Sequence, residues 1–238
     1  MTQSTAVRDG NRRERGKANR RDRILTAAKE LIQETGTCDF PMGDLAKRAG
    51  VSHMTVYNLM GTRQDIILQI HIDEMVRGTI ERVSGNFEDP LDEMLGMVPY
   101  MRQHFSARYR YRRTIVFGLY QDGAEEVRKQ VRDIFMTRVF RTIEECRVQG
   151  LVRASTDVSA LVVLLDNIYT ANVLGLAVGD IDEAIFEARA QYGYAVALLS
   201  VVTAEHAARV RAILEDCELR CRELEPEGQF VRRDLPEV

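Results

Sequence analysis

Apolar residues recur along this chain three and four positions apart rather than alternately, a spacing that predicts helices throughout. In "NRRDRILTAAKELIQETG", starting at Asn19, Ile24, Ala28 and Leu31 share one stripe with Leu25 and Ile32, and Gly36 supplies a stop. In "FPMGDLAKRAG", Pro41 suits a first helical position and Gly50 a left-handed stop. "VSHMTVYNLMG" follows, and then the longer "TRQDIILQIHIDEMVRGTIERVSG", with Thr62 as N-cap and Asp65 in the first turn. Asp89-Pro90 opens another segment. The long amphipathic "GAEEVRKQVRDIFMTRVFRTIEECRVQG" has Val127, Val131, Ile134, Phe135, Val139 and Ile143 on its buried side. "DVSALVVLLDNIYTANVLGLAVG" is apolar almost all round, which predicts burial on more than one face. "IDEAIFEARAQYGYAVALLSVVT" and "AEHAARVRAILEDCELRCREL" complete an all-α chain of about nine or ten helices, with no segment that reads as a strand. Residues 1–18 and 225–238 lack periodicity and are expected to be flexible.

The sharpest local signal is the corner at Gly50, Val51 and Ser52. Leu45, Ala46 and Ala49 give the short helix before it a buried side. Val51 is placed to fill the gap, and Ser52 to cap the next helix. Val56, Leu59 and Met60 then share one face, which leaves His53, Met54, Thr55, Tyr57 and Asn58 turned outward. This is a helix-turn-helix, whose second helix fits the DNA major groove and whose outward polar side chains can reach phosphates and base edges. An ordinary corner in a helical bundle has the same outline.

Charge sharpens the choice. The net charge is −3, yet residues 1–70 hold 12 Lys/Arg against 8 Asp/Glu, which is +4. The run from Arg8 to Arg23 carries eight bases and three acids. A basic segment ahead of a helix-turn-helix suits phosphate contact, although a solvated tail has the same composition. No run of about 18 apolar residues free of charge predicts a membrane span. The charged N-terminus does not read as a secretory signal. The cysteines Cys38, Cys146, Cys217 and Cys221 are scattered and lack a His pair, so reduced structural thiols are expected and no metal site or cofactor. His53, His71, His104 and His206 are equally dispersed. No nucleophile elbow, phosphate-binding glycine loop or paired acids point to an enzyme. A cytoplasmic protein is expected.

"ILTAAKELIQETG" followed by "DLAKRAGVSHMTVYNLMGTRQDI" resembles the N-terminal signature of the tetracycline-repressor (TetR) family of transcriptional regulators. The matching positions are Ala27-Ala28, Asp44-Leu45-Ala46, Ala49 to Ser52, Thr55-Val56-Tyr57, and Arg63 with Asp65. The resemblance implies that Ser52, Thr55 and Tyr57 meet the phosphate backbone, that His53, Met54 and Asn58 reach towards bases, and that Arg20, Arg21, Arg48 and Arg63 add phosphate contacts. Three features depart from the family's pattern: Met54 stands where a small residue is usual, Leu59 and Met60 where a His and a Phe are common, and Pro41 where a Ser or Thr cap is common. Phosphate docking transfers across these changes; base readout does not. For Met54 two placements compete, against a thymine methyl or against the preceding helix.

One helix-turn-helix reads too few base pairs to select an operator, so a homodimer on a palindrome-like DNA site is expected. The apolar segments near 156–178 and 181–203 are the candidate dimer faces, where the family also places them; Gly175, Gly179 and Gly193 would allow close helix approach. The resemblance further implies a small-molecule effector enclosed by the remaining helices. Candidate lining residues are Met97, Met101, Phe105, Phe117, Tyr120, Phe135, Val139, Leu165, Tyr169 and Asn172, each of which also fits ordinary core. Asp166, Asn167 and Asn172 stand out in an apolar helix, since buried polar groups need partners. The Arg/Tyr stretch 107–113 reads as an interhelical loop, able to clamp an anion or simply solvated. The expected organisation is a basic arm (1–18), a helix-turn-helix domain (19–65), a helical effector-binding and dimerisation domain (66–224) and a tail (225–238). The expected function is a repressor released by its effector, with a ligand-independent DNA-binding regulator as the alternative.

Overall fold

The computed structural model describes residues 3–73, 87–106 and 109–225. Among these residues ten helices run in chain order: α1 (Gln3–Thr35), α2 (Met42–Ala49), α3 (His53–Met60), α4 (Arg63–His71), α5 (Pro90–Ser106), α6 (Tyr109–Gly118), α7 (Glu125–Val148), α8 (Val158–Val178), α9 (Glu183–Leu199) and α10 (Ala207–Leu224). Among the described residues the one strand-like feature is an isolated antiparallel bridge between Val152 and Val202. The predicted all-α architecture is therefore the observed one. The chain divides into two compact units, Met1–Met75 with Arg110–Val131, and Val76–Tyr109 with Arg132–Val238.

In the first unit, α1, α2, α3 and α4 close around Ile24, Ala28, Ile32, Phe40, Leu45, Val56, Ile66 and Ile70, all at most 1% exposed. Tyr111 and Ile115 of α6 belong to the same core. The stretch 107–113 is thus not a loop from Tyr109 onward but the start of a helix that puts an aromatic ring inside this unit; Ala107 and Arg108 lie outside the described residues. Nor do the contacts divide at residues 65 and 66, since α4 and Arg110–Val131 group with the helix-turn-helix. The flexible arm is a second difference: α1 begins at Gln3, so it carries the basic run as helix. Arg, Lys, Glu and Ala are good helix formers and no proline interrupts them, so the helix persists upstream of its packed turns, where no apolar stripe announces it.

Thr62 closes the predicted capping box on α4: its hydroxyl accepts from the Asp65 N–H, while the Asp65 carboxylate accepts from the Thr62 N–H at 2.7 Å. The predicted continuation of this helix over 74–85 lies outside the described residues.

In the second unit, α9 packs against α8, α10 and α5. The starts of α5, α8 and α9 are each secured by an aspartate. Asp89 accepts from the amides of Leu91 and Asp92, Asp157 from Ala160, and Asp182 from Ala184 and Ile185. Arg209 of α10 in turn holds Asp89 at 2.6 Å and Asp92 at 3.2 Å. The buried polar residues have partners. Glu187 sits between Arg102 at 2.6 Å and Arg220 at 2.9 Å, and Gln191 accepts from Arg220 at 2.6 Å while donating to the Leu95 carbonyl at 3.2 Å. A Cβ at Gly193 would meet Ile168 Cγ2 at 2.7 Å, so that glycine serves the close α8–α9 approach within one protomer. By length and composition alone, α8 could cross a bilayer. Here it packs along α9 and buries Asp166, which Arg132 of α7 holds at 2.6 Å.

Candidate DNA-binding face

Gly50 ends α2 with φ of +62°, the left-handed conformation that a residue without a Cβ adopts cheaply. The Val51 N–H donates to the Ala46 carbonyl at 3.0 Å and the Gly50 N–H to Lys47 at 3.2 Å, the paired bonds of a Schellman stop. Val51 packs partly buried against the core. The Ser52 hydroxyl then accepts from the Thr55 N–H at 3.1 Å, and the two hydroxyls lie 2.8 Å apart. Thr55 is therefore half-buried and tied to the cap rather than freely outward.

Beyond the cap, α3 buries Val56 and exposes His53, Met54, Tyr57 and Asn58. Met54 is 67% exposed, which removes the alternative that it packs on the preceding helix. His53 and Tyr57, one turn apart, meet edge to face at 5.0 Å. Three candidate base readers and the candidate phosphate contact Tyr57 thus share one open surface on a short, capped helix.

The arginines divide by what they already hold. Arg20 is exposed. Arg21 Nε donates to the Leu59 carbonyl at 3.0 Å. Arg48 pairs with Glu34 at 2.6 Å and lies 3.9 Å from Glu30, and Arg63 pairs with Asp39 and reaches the Phe40 carbonyl at 3.5 Å. Sequence reasoning missed Arg23, whose Nη2 donates to the carbonyls of Ala49 and, at 3.0 Å, of Gly50. Its position two residues from Arg21 carried no signal, because both fell within one basic run.

The effector candidates do not gather into one group. Phe117 and Tyr120 belong to the first unit, where Arg128 lies over the Tyr120 ring at 5.7 Å. Phe105 lies outside the residues whose side chains are described. In the second unit Met97, Met101, Val139 and Leu165 are buried, while Phe135 and Tyr169 stack at 4.9 Å and Tyr169 meets Phe186 edge-on at 6.1 Å. Asn172 donates to the Ile168 carbonyl at 2.8 Å, Asp166 is paired with Arg132, and Asn167 is exposed. Beside this cluster Tyr194 is 1% exposed, and its hydroxyl has no partner among the described residues. Burial, then the neighbouring Tyr169 and Asp166, push its phenol well above the usual range. In the sequence Tyr194 fell only within the candidate dimer segment 181–203.

Burial pushes both Cys38 and Cys146 up to about 12, so neither forms a thiolate near neutral pH.

α2, the turn and α3 thus form a capped helix-turn-helix whose second helix presents an open face. Residues 24–70 match the sequence model described as bacterial regulatory proteins, tetR family. Solved structures of the same fold include SmeT, the repressor of the Stenotrophomonas maltophilia multidrug efflux pump SmeDEF. It is 18% identical, with 77% of this chain and 91% of that one covered and a TM-score of 0.62. Tylp, a TetR regulator from Streptomyces fradiae, is 14% identical over 87% of this chain and 94% of its own, at a TM-score of 0.59. RolR in complex with resorcinol is 19% identical over 84% and 95%, at 0.57. At such identities these likenesses establish the shared fold. No curated protein matches the chain. Over residues 24–70, then, the chain is similar to bacterial regulatory proteins of the tetR family.

Proposed function

We propose that this regulator is a homodimeric repressor that binds a palindrome-like double-stranded operator and leaves it on binding a small molecule. The observation that carries the reading is the open face of α3, where His53, Met54, Tyr57 and Asn58 stand exposed behind a turn fixed by Gly50 and Ser52. On this reading Arg20, Ser52, Thr55 and Tyr57 meet phosphates, and His53, Met54 and Asn58 meet base edges. Arg48 and Arg63 would contribute from positions where each already bonds to the protein.

Dimerisation is supported by apolar side chains left open along α8 and α9. Val163, Leu164 and Val178 on α8, and Tyr192 and Val196 on α9, are each at least 37% exposed. In the second unit the aromatic cluster around Tyr169, with the unpartnered Tyr194 hydroxyl beside it, suits a small molecule of aromatic character. RolR, of the same fold, binds resorcinol. Release then follows if the effector favours the dimer state whose paired recognition helices do not match the operator spacing. The protein acts in the cytoplasm, and no catalytic role is assigned to it. The ligand-independent reading draws on the internal bonds of Asn172 and Asp166, which leave no demand for an outside partner.

Selection of bound duplexes from a random pool, followed by metabolite competition, tests the proposal. Two half-sites about one helical turn apart are expected, with at least one small molecule abolishing the complex. Recovery of no preferred sequence would overturn it.

A further inference from the structure

Two arginines of α1 are placed to act on the helix-turn-helix itself. We infer that Arg21 and Arg23 are positioning residues, which clasp the C-terminal ends of the two helices flanking the turn and so fix the pitch of the recognition helix. The inference rests on the DNA-binding reading above and goes beyond it, because it separates these two side chains from the phosphate contacts of the basic run.

The last carbonyls of a helix have no intrahelical donor and carry its partial negative charge. At the end of α2 the Schellman bonds satisfy Ala46 and Lys47. The carbonyls of Ala49 and Gly50 receive Arg23 Nη2 instead. At the end of α3 the Leu59 carbonyl receives Arg21 Nε at 3.0 Å. Residues two apart on a helix point about 200° apart around its axis. Arg21 and Arg23 therefore straddle Ile24, which is fully buried in the core between them. One turn of α1 thus packs its apolar residue inward while two forked cations grip the separate ends of α2 and α3.

The same placement of Arg23 brings its guanidinium against the turn glycine. A Cβ built at Gly50 would stand 2.6 Å from Arg23 Nη2. The glycine thus supplies the left-handed turn and also the room for the guanidinium. Arginine suits the task because one planar fork can serve two adjacent carbonyls, where a lysine offers a single point charge.

A phosphate contact and a clasp predict different salt behaviour. Losing a phosphate contact weakens binding to all sequences and lowers the salt slope by about one. Loss of a clasp lets α3 tilt, which harms base readout and leaves the counterion count alone. The experiment uses the full chain, a selected operator duplex and a mixed-sequence duplex, read by anisotropy across a salt titration. Arg23→Gln is expected to weaken operator binding about tenfold, with mixed-sequence affinity and salt slope unchanged. Arg21→Gln should behave alike and more mildly, while Arg20→Gln lowers both affinities and the slope. Arg23→Lys should fall between wild type and Arg23→Gln for operator binding. Equal weakening on both duplexes with a slope reduced by about one, for Arg21→Gln or Arg23→Gln, would overturn the clasp. Amide hydrogen exchange gives a readout without DNA: faster exchange over α3 is expected in Arg23→Gln and Arg23→Lys, and unchanged exchange would also overturn it. Absence of any sequence preference in the wild-type chain would instead sink the DNA-binding reading and leave the exchange result to decide the clasp.

Discussion

Met54 presents its thioether to solvent on the open face of α3, beside Asn58 and next to the His53–Tyr57 ring pair. A flexible apolar side chain there suits a thymine methyl, the apolar mark of the major groove. Met54→Gly is expected to change which bases the protein prefers at one operator position, by about 1 kcal/mol, more than it changes affinity for mixed-sequence DNA. Met54→Ala, measured in the same sequence-resolved assay, separates readout from the helix cost of glycine. Equal loss on all sequences would refute the assignment. His71 is a different kind of residue, buried in the first unit with a ring nitrogen 3.0 Å from the Ile115 carbonyl. The carbonyl can only accept, so Nε2 carries the hydrogen, and Nδ1 has no partner among the described residues. Burial pushes this imidazole down to about 4, against a smaller upward pull from the Ile115 carbonyl. The unfolded histidine takes up its proton near pH 6.5, well before the folded one does. The stability from keeping His71 neutral is thus complete above about pH 6.5. It is lost as pH falls towards about 4, at up to about 1.4 kcal/mol per pH unit. Denaturant unfolding from pH 7 to 4 should show that slope, and His71→Leu should flatten it.

At the scale of helices, the apolar faces of α8 and α9 differ in what they meet. Leu161, Leu165 and Leu176 of α8, with Phe186, Tyr194 and Leu198 of α9, are buried inside the protomer. Leu164 and Val196 are 46% and 45% exposed. A stripe of this kind fits a second copy of the same helix pair, closed by two-fold symmetry. Leu164→Glu with Val196→Glu is expected to turn the dimer into a monomer by sedimentation and to abolish operator binding. Helicity should remain, because neither side chain is part of the buried core. A double variant that still sediments as a dimer would move the interface elsewhere. Periodicity predicted both helices and, for α8, near-complete apolarity. It did not distinguish the buried rows from the exposed ones, because leucine and valine occupy both. The same ambiguity spread the effector candidates over two units, placing Phe117 and Tyr120 with residues from which the contacts separate them.

For the whole molecule, the asymmetry of charge sets the expected behaviour. A segment carrying +4 across residues 1–70 should bind DNA with a steep salt dependence, since each phosphate neutralised releases counterions. Several phosphate contacts per half-site predict a loss of at least a hundredfold in affinity as salt rises from about 50 to 200 mM. Affinity that stays flat across that titration would remove the electrostatic role of the basic helix. Sequence by itself determined most of the helices, the corner at Gly50 and Ser52, and the outward set on α3 apart from Thr55. All of these rest on local rules: spacing, caps and left-handed glycine. Tertiary structure alone decided the rest. It drew α6 into the first unit, and set Arg21 and Arg23 on carbonyls 38 and 26 residues away. It also left the Tyr194 hydroxyl without a partner. Those outcomes depend on which distant backbone or ring a side chain meets, and residue type carries no record of that when one charge or one aromatic can serve either purpose.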